Sequence, residues 1–183
     1  DDARQVPAVF RDLTDAEKQG IAAAYATSVE FLDACVGRVL GALEASGHAD
    51  DTLVVYLGDH GYLLGHHGRF EKHCSYEQAV RVPLLMRWPG RTQPASTTDA
   101  MVELVDLAPT LCAACAVAAP EAMQGRSLLP LIAGQTNRHR DHVVVEYAQN
   151  DEVMIRDARW KLVYERGAQR RTDGYDTGLP LER

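Results

Sequence analysis

Residues 53–77 read LVVYLGDHGYLLGHHGRFEKHCSYE. A β-branched, apolar run at 53–57 suits a strand in the middle of a sheet. It stops abruptly at Gly58-Asp59-His60-Gly61. The next stretch, 58–73, holds four glycines and four of the seven histidines, which marks it as a loop. In open α/β sheets ligands gather beyond the carboxyl ends of strands, and Asp59 and His60 follow such an end.

The elements on either side set the fold class. Thr14-Asp15-Ala16-Glu17 is a capping box, with a hydroxyl at the cap and a carboxylate three residues on. Ile21, Tyr25, Val29, Leu32, Val36, Val39, Leu40 and Leu43 then recur in steps of three and four, which predicts a helix over 15–46 ended by Gly47. A short helical turn is expected at 75–79 and a second strand within 82–88, starting after Pro83. Helices follow at 106–115 and 128–132, with Pro109 in the first turn of the former and Gly134 ending the latter. Three further strands are expected at 143–147, 153–156 and 161–164. This order is that of an α/β protein. The tail, RGAQRRTDGYDTGLPLER, is polar and Gly-rich and has no apolar stripe.

The 183 residues make at most one ordinary domain with a substantial core. Apolar residues make up 46% and charged residues 25%, a globular composition. A net charge of -7, from 26 acidic and 19 basic side chains, argues against nucleic acid as a general partner. It leaves room for an anionic substrate, because a local metal and lysine override global charge. No apolar run approaches the roughly 20 residues that span a bilayer. The opening, DDARQVPAVFRDLTDAEKQG, has no initiator Met and no secretory signal and reads as mid-protein sequence, so the compartment stays open. Cys112 and Cys115 have C-x-x-C spacing without a second pair. They read as two core cysteines of a buried apolar helix, or alternatively as a redox pair, and no disulfide framework is expected.

The loop chemistry follows from its residue types. Asp59 and His60 supply a carboxylate and an imidazole, which suit a divalent cation, although imidazole is a poor calcium ligand. The alternative is an Asp that caps turn amides beside a solvated His. Thirteen positions after Asp59, Lys72 is placed to give charge-assisted hydrogen bonds to the oxygens of a sulfate or phosphate ester. His73 and His67 are further candidates, with a solvated loop histidine as the other reading of His66 and His67.

The block LVVYLGDHGYLLGHHGRFEKHCSYEQAVRVPLLMRWPG, residues 53–90, closely resembles the metal- and anion-binding block of type I sulfatases, members of the alkaline phosphatase superfamily. The matching elements are Gly58-Asp59-His60-Gly61, Gly65 to Gly68, Lys72, Arg81-Val82-Pro83-Leu84 and Arg87 to Gly90. The stretches LVDLAPTLCAACAV, QGRSLLPLIAG and IRDARWKLVYE are also similar. The resemblance implies part of an alkaline phosphatase-like core sheet flanked by helices, with the start of a small C-terminal antiparallel sheet. Residues 1–150 would be the C-terminal half of the core and 151–183 the beginning of the small subdomain.

By the same resemblance, Asp59 and His60 would ligate one divalent cation, usually Ca2+, with Mn2+ or Zn2+ as alternatives. Lys72 would contact the sulfate; the loop's own candidates for catalysis and for substrate contact are His73 and His67. The substrate would be a small-molecule or saccharide sulfate ester. The family nucleophile is a formylglycine made from a Cys or Ser in a C/S-x-P/A-x-R motif. Cys35 is followed by VGR, Cys74 by SYE, Cys112 by AAC and Cys115 by AVA, so none carries it. The chain is therefore expected to be an internal fragment of a sulfuric ester hydrolase, holding part of the active site and inactive alone. A phosphodiesterase or phosphonate monoester hydrolase of the same superfamily is the nearest rival. A non-catalytic truncated module is the third reading.

Overall fold

A computed structural model describes residues 8–148 and 152–165. The polar tail and most of the expected 151–183 subdomain lie outside the described residues. The architecture is α/β, with ten helices and strands among the described residues; nine follow the expected order, and the first, a short helix, was not expected. They are α1 (Ala8–Arg11), α2 (Asp15–Ala45), β1 (Val54–Leu57), α3 (Glu77–Val80), β2 (Leu84–Arg87), α4 (Leu107–Ala114), α5 (Leu129–Ile132), β3 (His142–Tyr147), β4 (Glu152–Asp157) and β5 (Lys161–Glu165).

The capping box forms as expected. The Glu17 N–H donates to Thr14 Oγ1 at 3.3 Å, and the Thr14 N–H donates to Glu17 Oε2 at 2.7 Å. What the apolar stripe of α2 does differs from expectation: no residue of this helix is buried. Tyr25, Val29, Leu32 and Val39 all stay exposed. The described chain reaches the helix at a few points, such as the Tyr25–Tyr62 ring contact at 5.6 Å and the Arg87–Glu44 ion pair at 2.9 Å. Periodicity made the stripe, but burial needs an opposing surface.

β1 and β2 pair antiparallel, with Val54 opposite Arg87 and Leu57 opposite Leu84. Among the described residues β1 therefore has one ladder partner, not the two of a central strand. β3, β4 and β5 form an antiparallel sheet in that order, with Val144 opposite Ile155 and Ile155 opposite Leu162. The expected domain boundary at 150/151 lies outside the described residues.

The buried residues are as much polar as apolar. Leu63, Phe70, Ala79, Leu128 and Met154 are joined by Arg69, Glu71, Ser75, Asp106, Thr110 and Glu152. Asp106 is fully buried and ties three segments together. Its carboxylate accepts from the Glu103 N–H at 2.9 Å, the Arg126 N–H at 2.8 Å and Arg140 Nε at 3.0 Å. His139 Nε2 lies 3.1 Å away. Burial alone would raise this carboxyl, but the Arg140 hydrogen bond and the two amides outweigh it and hold its pKa at about 2. Gly125 lets the backbones close here, since a Cβ on it would lie 1.9 Å from the Val105 carbonyl oxygen.

The cysteine expectation needs correction. Cys112 is half-buried and Cys115 is exposed, so the pair is not a core pair. The face of α4 that enters the interior carries Pro109 and Thr110 instead. Thr110 Oγ1 accepts from the Leu128 N–H at 2.8 Å, which sets the turn before α5. All four cysteines are free thiols. No helix among the described residues is long and apolar enough to cross a membrane.

Candidate active site

The loop after β1 folds back on itself, and that return makes the site. Gly58 N–H donates to the Pro83 carbonyl at 3.2 Å as the chain leaves the sheet. Gly61 packs so closely on α3 that a Cβ would sit 1.9 Å from the Gln78 carbonyl oxygen. The chain reverses through a 3-10 turn, His66–Gly68, where Gly65, His67 and Gly68 have φ values of 91°, 56° and 68°. These left-handed values suit Gly and are uncommon for His. The two arms are then stitched together: Leu63 N–H to Glu71 O at 2.7 Å, Gly65 N–H to Arg69 O at 2.9 Å, and Tyr62 OH to Phe70 O at 2.7 Å. A buried Arg69–Glu71 ion pair anchors the returning arm.

The return delivers Lys72 to His60. Lys72 Nζ lies 2.5 Å from His60 Nε2. The other imidazole nitrogen, Nδ1, donates to the Gly61 carbonyl at 2.8 Å. That bond sets the tautomer and leaves the Nε2 lone pair facing Lys72. Asp59 Oδ1 accepts from the His60 N–H at 2.9 Å, and its Oδ2 lies 3.6 Å from His60 Nε2. Asp59 is largely solvent-facing, with its side chain 87% exposed. Asp59, His60 and Lys72 thus share one exposed mouth beyond β1.

A 3.6 Å separation between a carboxylate oxygen and an imidazole lone pair suits two ligands of a single cation. The pair fits as part of a metal site. Among the described residues no third His, Cys, Asp or Glu completes a cluster around a cation.

The other histidine candidates are engaged elsewhere. His73 Nδ1 is 2.9 Å from the Tyr147 hydroxyl on β3. The His67 ring stacks on Tyr76 at 3.9 Å and 8°. Cys74 sits beside Lys72, but burial pushes its thiol up, which keeps it protonated and a poor nucleophile at neutral pH.

Sequence reasoning missed the residues behind the loop. Ser75 Oγ donates to Glu152 on β4. Lys161 on β5 donates to the Ser75 carbonyl at 2.6 Å and to Glu77 Oε1 at 2.7 Å. Arg156 Nε approaches the same Glu77 oxygen at 3.3 Å. These partners lie 77 to 86 positions apart for Ser75–Glu152 and Ser75–Lys161, so no local pattern announces them.

A family model described as Sulfatase matches residues 2–117, more than half of the chain. The chain belongs to the sulfatase family. The sulfatase match is extended by a second model, N-sulphoglucosamine sulphohydrolase, C-terminal, over residues 65–176. An N-acetylglucosamine-6-O-sulfatase from Bacteroides thetaiotaomicron is 39% identical over 111 residues, covering 61% of this chain and 20% of that protein. A sulfatase from Formosa agariphila is 30% identical over 168 residues, covering 92% of this chain and 33% of that protein. The chain thus spans a fifth to a third of the length of these curated sulfatases.

Solved structures agree on the fold. One, of a protein in complex with its substrate D-glucosamine-2-N,6-O-disulfate, superposes with a TM-score of 0.68 at 31% identity, over 81% of this chain and 31% of that one. A phosphonate monoester hydrolase from Silicibacter pomeroyi gives a TM-score of 0.76 at 30% identity, over 85% of this chain and 35% of that one. The fold is therefore that of the alkaline phosphatase-like sulfatases, across the part this chain spans.

Proposed function

We propose that this chain forms part of a sulfuric ester hydrolase and carries one side of its active site. The observation that carries the reading is the convergence of Asp59, His60 and Lys72 at one loop mouth in a chain of the sulfatase family. Asp59 and His60 would hold one divalent cation, with Ca2+ favoured by the resemblance and Mn2+ or Zn2+ favoured by the imidazole donor. Such a cation supplies charge against the ester's oxygens. The Gly61 carbonyl holds the Nδ1 proton, so Nε2, which meets Lys72 in this structure, is the nitrogen that would turn to the cation.

Lys72 binds a non-bridging sulfate oxygen and offsets the charge that grows as the ester bond breaks. His73, turned by Tyr147, borders the same loop and is the next candidate for contact with the leaving group. The attacking group implied by the resemblance is a formylglycine, which none of the four cysteine contexts here provides. The substrate class is a sulfated saccharide, a reading supported by the glucosamine sulfatase relative and by the glucosamine disulfate complex.

A second reading has one specific support, the structural likeness to a phosphonate monoester hydrolase. The test compares initial rates of the intact protein on an aryl sulfate, an aryl phosphonate monoester and an aryl phosphodiester, with and without EDTA. A sulfate preference abolished by EDTA is expected. A phosphonate or phosphodiester preference of orders of magnitude would overturn the sulfatase reading.

A further inference from the structure

Lys72 stands on a segment with little structure of its own. Between Phe70 and α3 the backbone supplies the Leu63 N–H bond to the Glu71 carbonyl at 2.7 Å and one short turn, from the Cys74 N–H to the Lys72 carbonyl at 2.9 Å. The Lys72 side chain is exposed, so packing does not set its position. Before Lys72 the arm is held by the Arg69–Glu71 pair, and the Lys72 ammonium meets His60; after Lys72 the side-chain holds come from the antiparallel sheet. Tyr147 on β3 reaches His73 at 2.9 Å. Glu152 on β4 takes the Ser75 hydroxyl, and both residues are buried. Lys161 on β5 grips the Ser75 carbonyl at 2.6 Å and Glu77 at 2.7 Å. Each strand of the sheet thus contributes a polar side chain to the five residues that follow Lys72.

We propose that Tyr147, Glu152 and Lys161 are positioning residues that act through His73 and Ser75 to fix where Lys72 presents its ammonium group. None of them need touch the ester. The sheet would serve as a platform against which the anion-binding lysine is aimed, and its three contacts restrain both the residue after Lys72 and the residue three beyond it. A misplacement near 1 Å in such a group costs on the order of 100-fold in rate. The inference rests on the anion-binding role given to Lys72 above.

The test is a double-mutant cycle in the intact protein between Tyr147→Phe and Lys72→Ala. Tyr147→Phe removes one hydroxyl and keeps the ring, so the fold is preserved. The cycle is read on kcat/KM for an aryl sulfate and, separately, on affinity for inorganic sulfate. Tyr147→Phe alone is expected to lower both about 10-fold, with little change in melting temperature. In the Lys72→Ala background it should cost less than 2-fold more. Glu152→Ala is expected to behave like Tyr147→Phe, and Glu152→Gln to restore most of the loss, because its amide oxygen still accepts from Ser75. Equal losses with and without Lys72 would overturn the positioning role. A wild-type protein that binds sulfate with this coupling, yet hydrolyses no sulfate ester, would remove the sulfatase reading and leave the positioning role standing.

Discussion

The Nε2 of His60 and the Nζ of Lys72 lie 2.5 Å apart, across twelve residues of chain. The imidazole offers its lone pair to the ammonium while Nδ1–H is held by Gly61. One lone pair therefore has two suitors, the lysine and any cation that Asp59 and His60 share. On the proposed reading, a cation held by Asp59 and His60 would displace Lys72 from Nε2 and leave its ammonium available to an anion.

This competition predicts a split between two affinities. Lys72→Met should strengthen divalent-cation binding several-fold, by removing a like charge a few Å from the ion. The same substitution should weaken inorganic sulfate binding. Isothermal titration with Ca2+ and Mn2+, then with sulfate, reads both, and weaker cation binding by Lys72→Met would count against the shared lone pair. Asp59→Asn and His60→Ala should each lower cation affinity by about 100-fold, at or beyond the upper end of losses seen when supporting groups of metal sites are removed.

Turnover should depend on Lys72 as a charged donor. A charge-assisted hydrogen bond contributes about 1.5–3 kcal/mol, so Lys72→Ala should lower kcat/KM roughly 10- to 150-fold. Lys72→Arg keeps the charge but not the point geometry and should recover only part of the loss. Steady-state kinetics on an aryl sulfate decides this, and an unchanged kcat/KM in Lys72→Ala would remove the lysine from the site.

Asp106 predicts an acid limb of stability. Its folded pKa, about 2, lies below the ordinary carboxylate value of 3.8. A depressed pKa gives stability that is fully present above the unfolded value and is lost as pH falls through the folded one. The contribution is about 2 kcal/mol and should disappear between roughly pH 4 and pH 2. Asp106→Asn should remove this limb and, by taking one of the two carboxylates from half-buried Arg140, which keeps Glu103 at 3.1 Å, destabilise the protein by about 1–3 kcal/mol at neutral pH. Urea melts across pH 2–7 measure both effects.

Gly61 predicts a steric failure at the site itself. A Cβ there would meet the Gln78 carbonyl oxygen at 1.9 Å, and that oxygen is backbone. Gly61→Ala should cost about 3 kcal/mol, at or beyond the upper end of ordinary overpacking. It should also shift the carbonyl that holds His60 Nδ1. Melting temperature and cation affinity should fall together, whereas Gly41→Ala, in open space on α2, should leave both intact.

Several of these elements were legible in the residues alone. The capping box at Thr14 forms both of its bonds. The apolar run after Thr52 is a strand that ends at Leu57, two residues before Asp59, and the segment after Pro83 is its partner. Asp59, His60 and Lys72 lie within one loop legible as Gly- and His-rich, and their side chains meet at its mouth. The failures lie where the answer depends on what is opposite. The α2 stripe had the right period and buries nothing among the described residues. The CAAC pair looked like core because its neighbours are apolar, yet α4 turns Pro109 and Thr110 inward.

The sequence by itself determined the elements and the chemistry of the loop. Caps, turns and alternation act over three or four residues, so their causes sit within reading distance. Tertiary structure alone decided which partners those groups meet. The Tyr147 hydroxyl finds His73 from 74 positions away, and Lys161 finds Ser75 from 86. The antiparallel pairing of β1 with β2 and the burial of Asp106 among Arg126, His139 and Arg140 belong to the same class. The physical reason is that a long-range hydrogen bond exists only once the intervening chain has folded. A local pattern can announce a donor, but it carries no record of the acceptor.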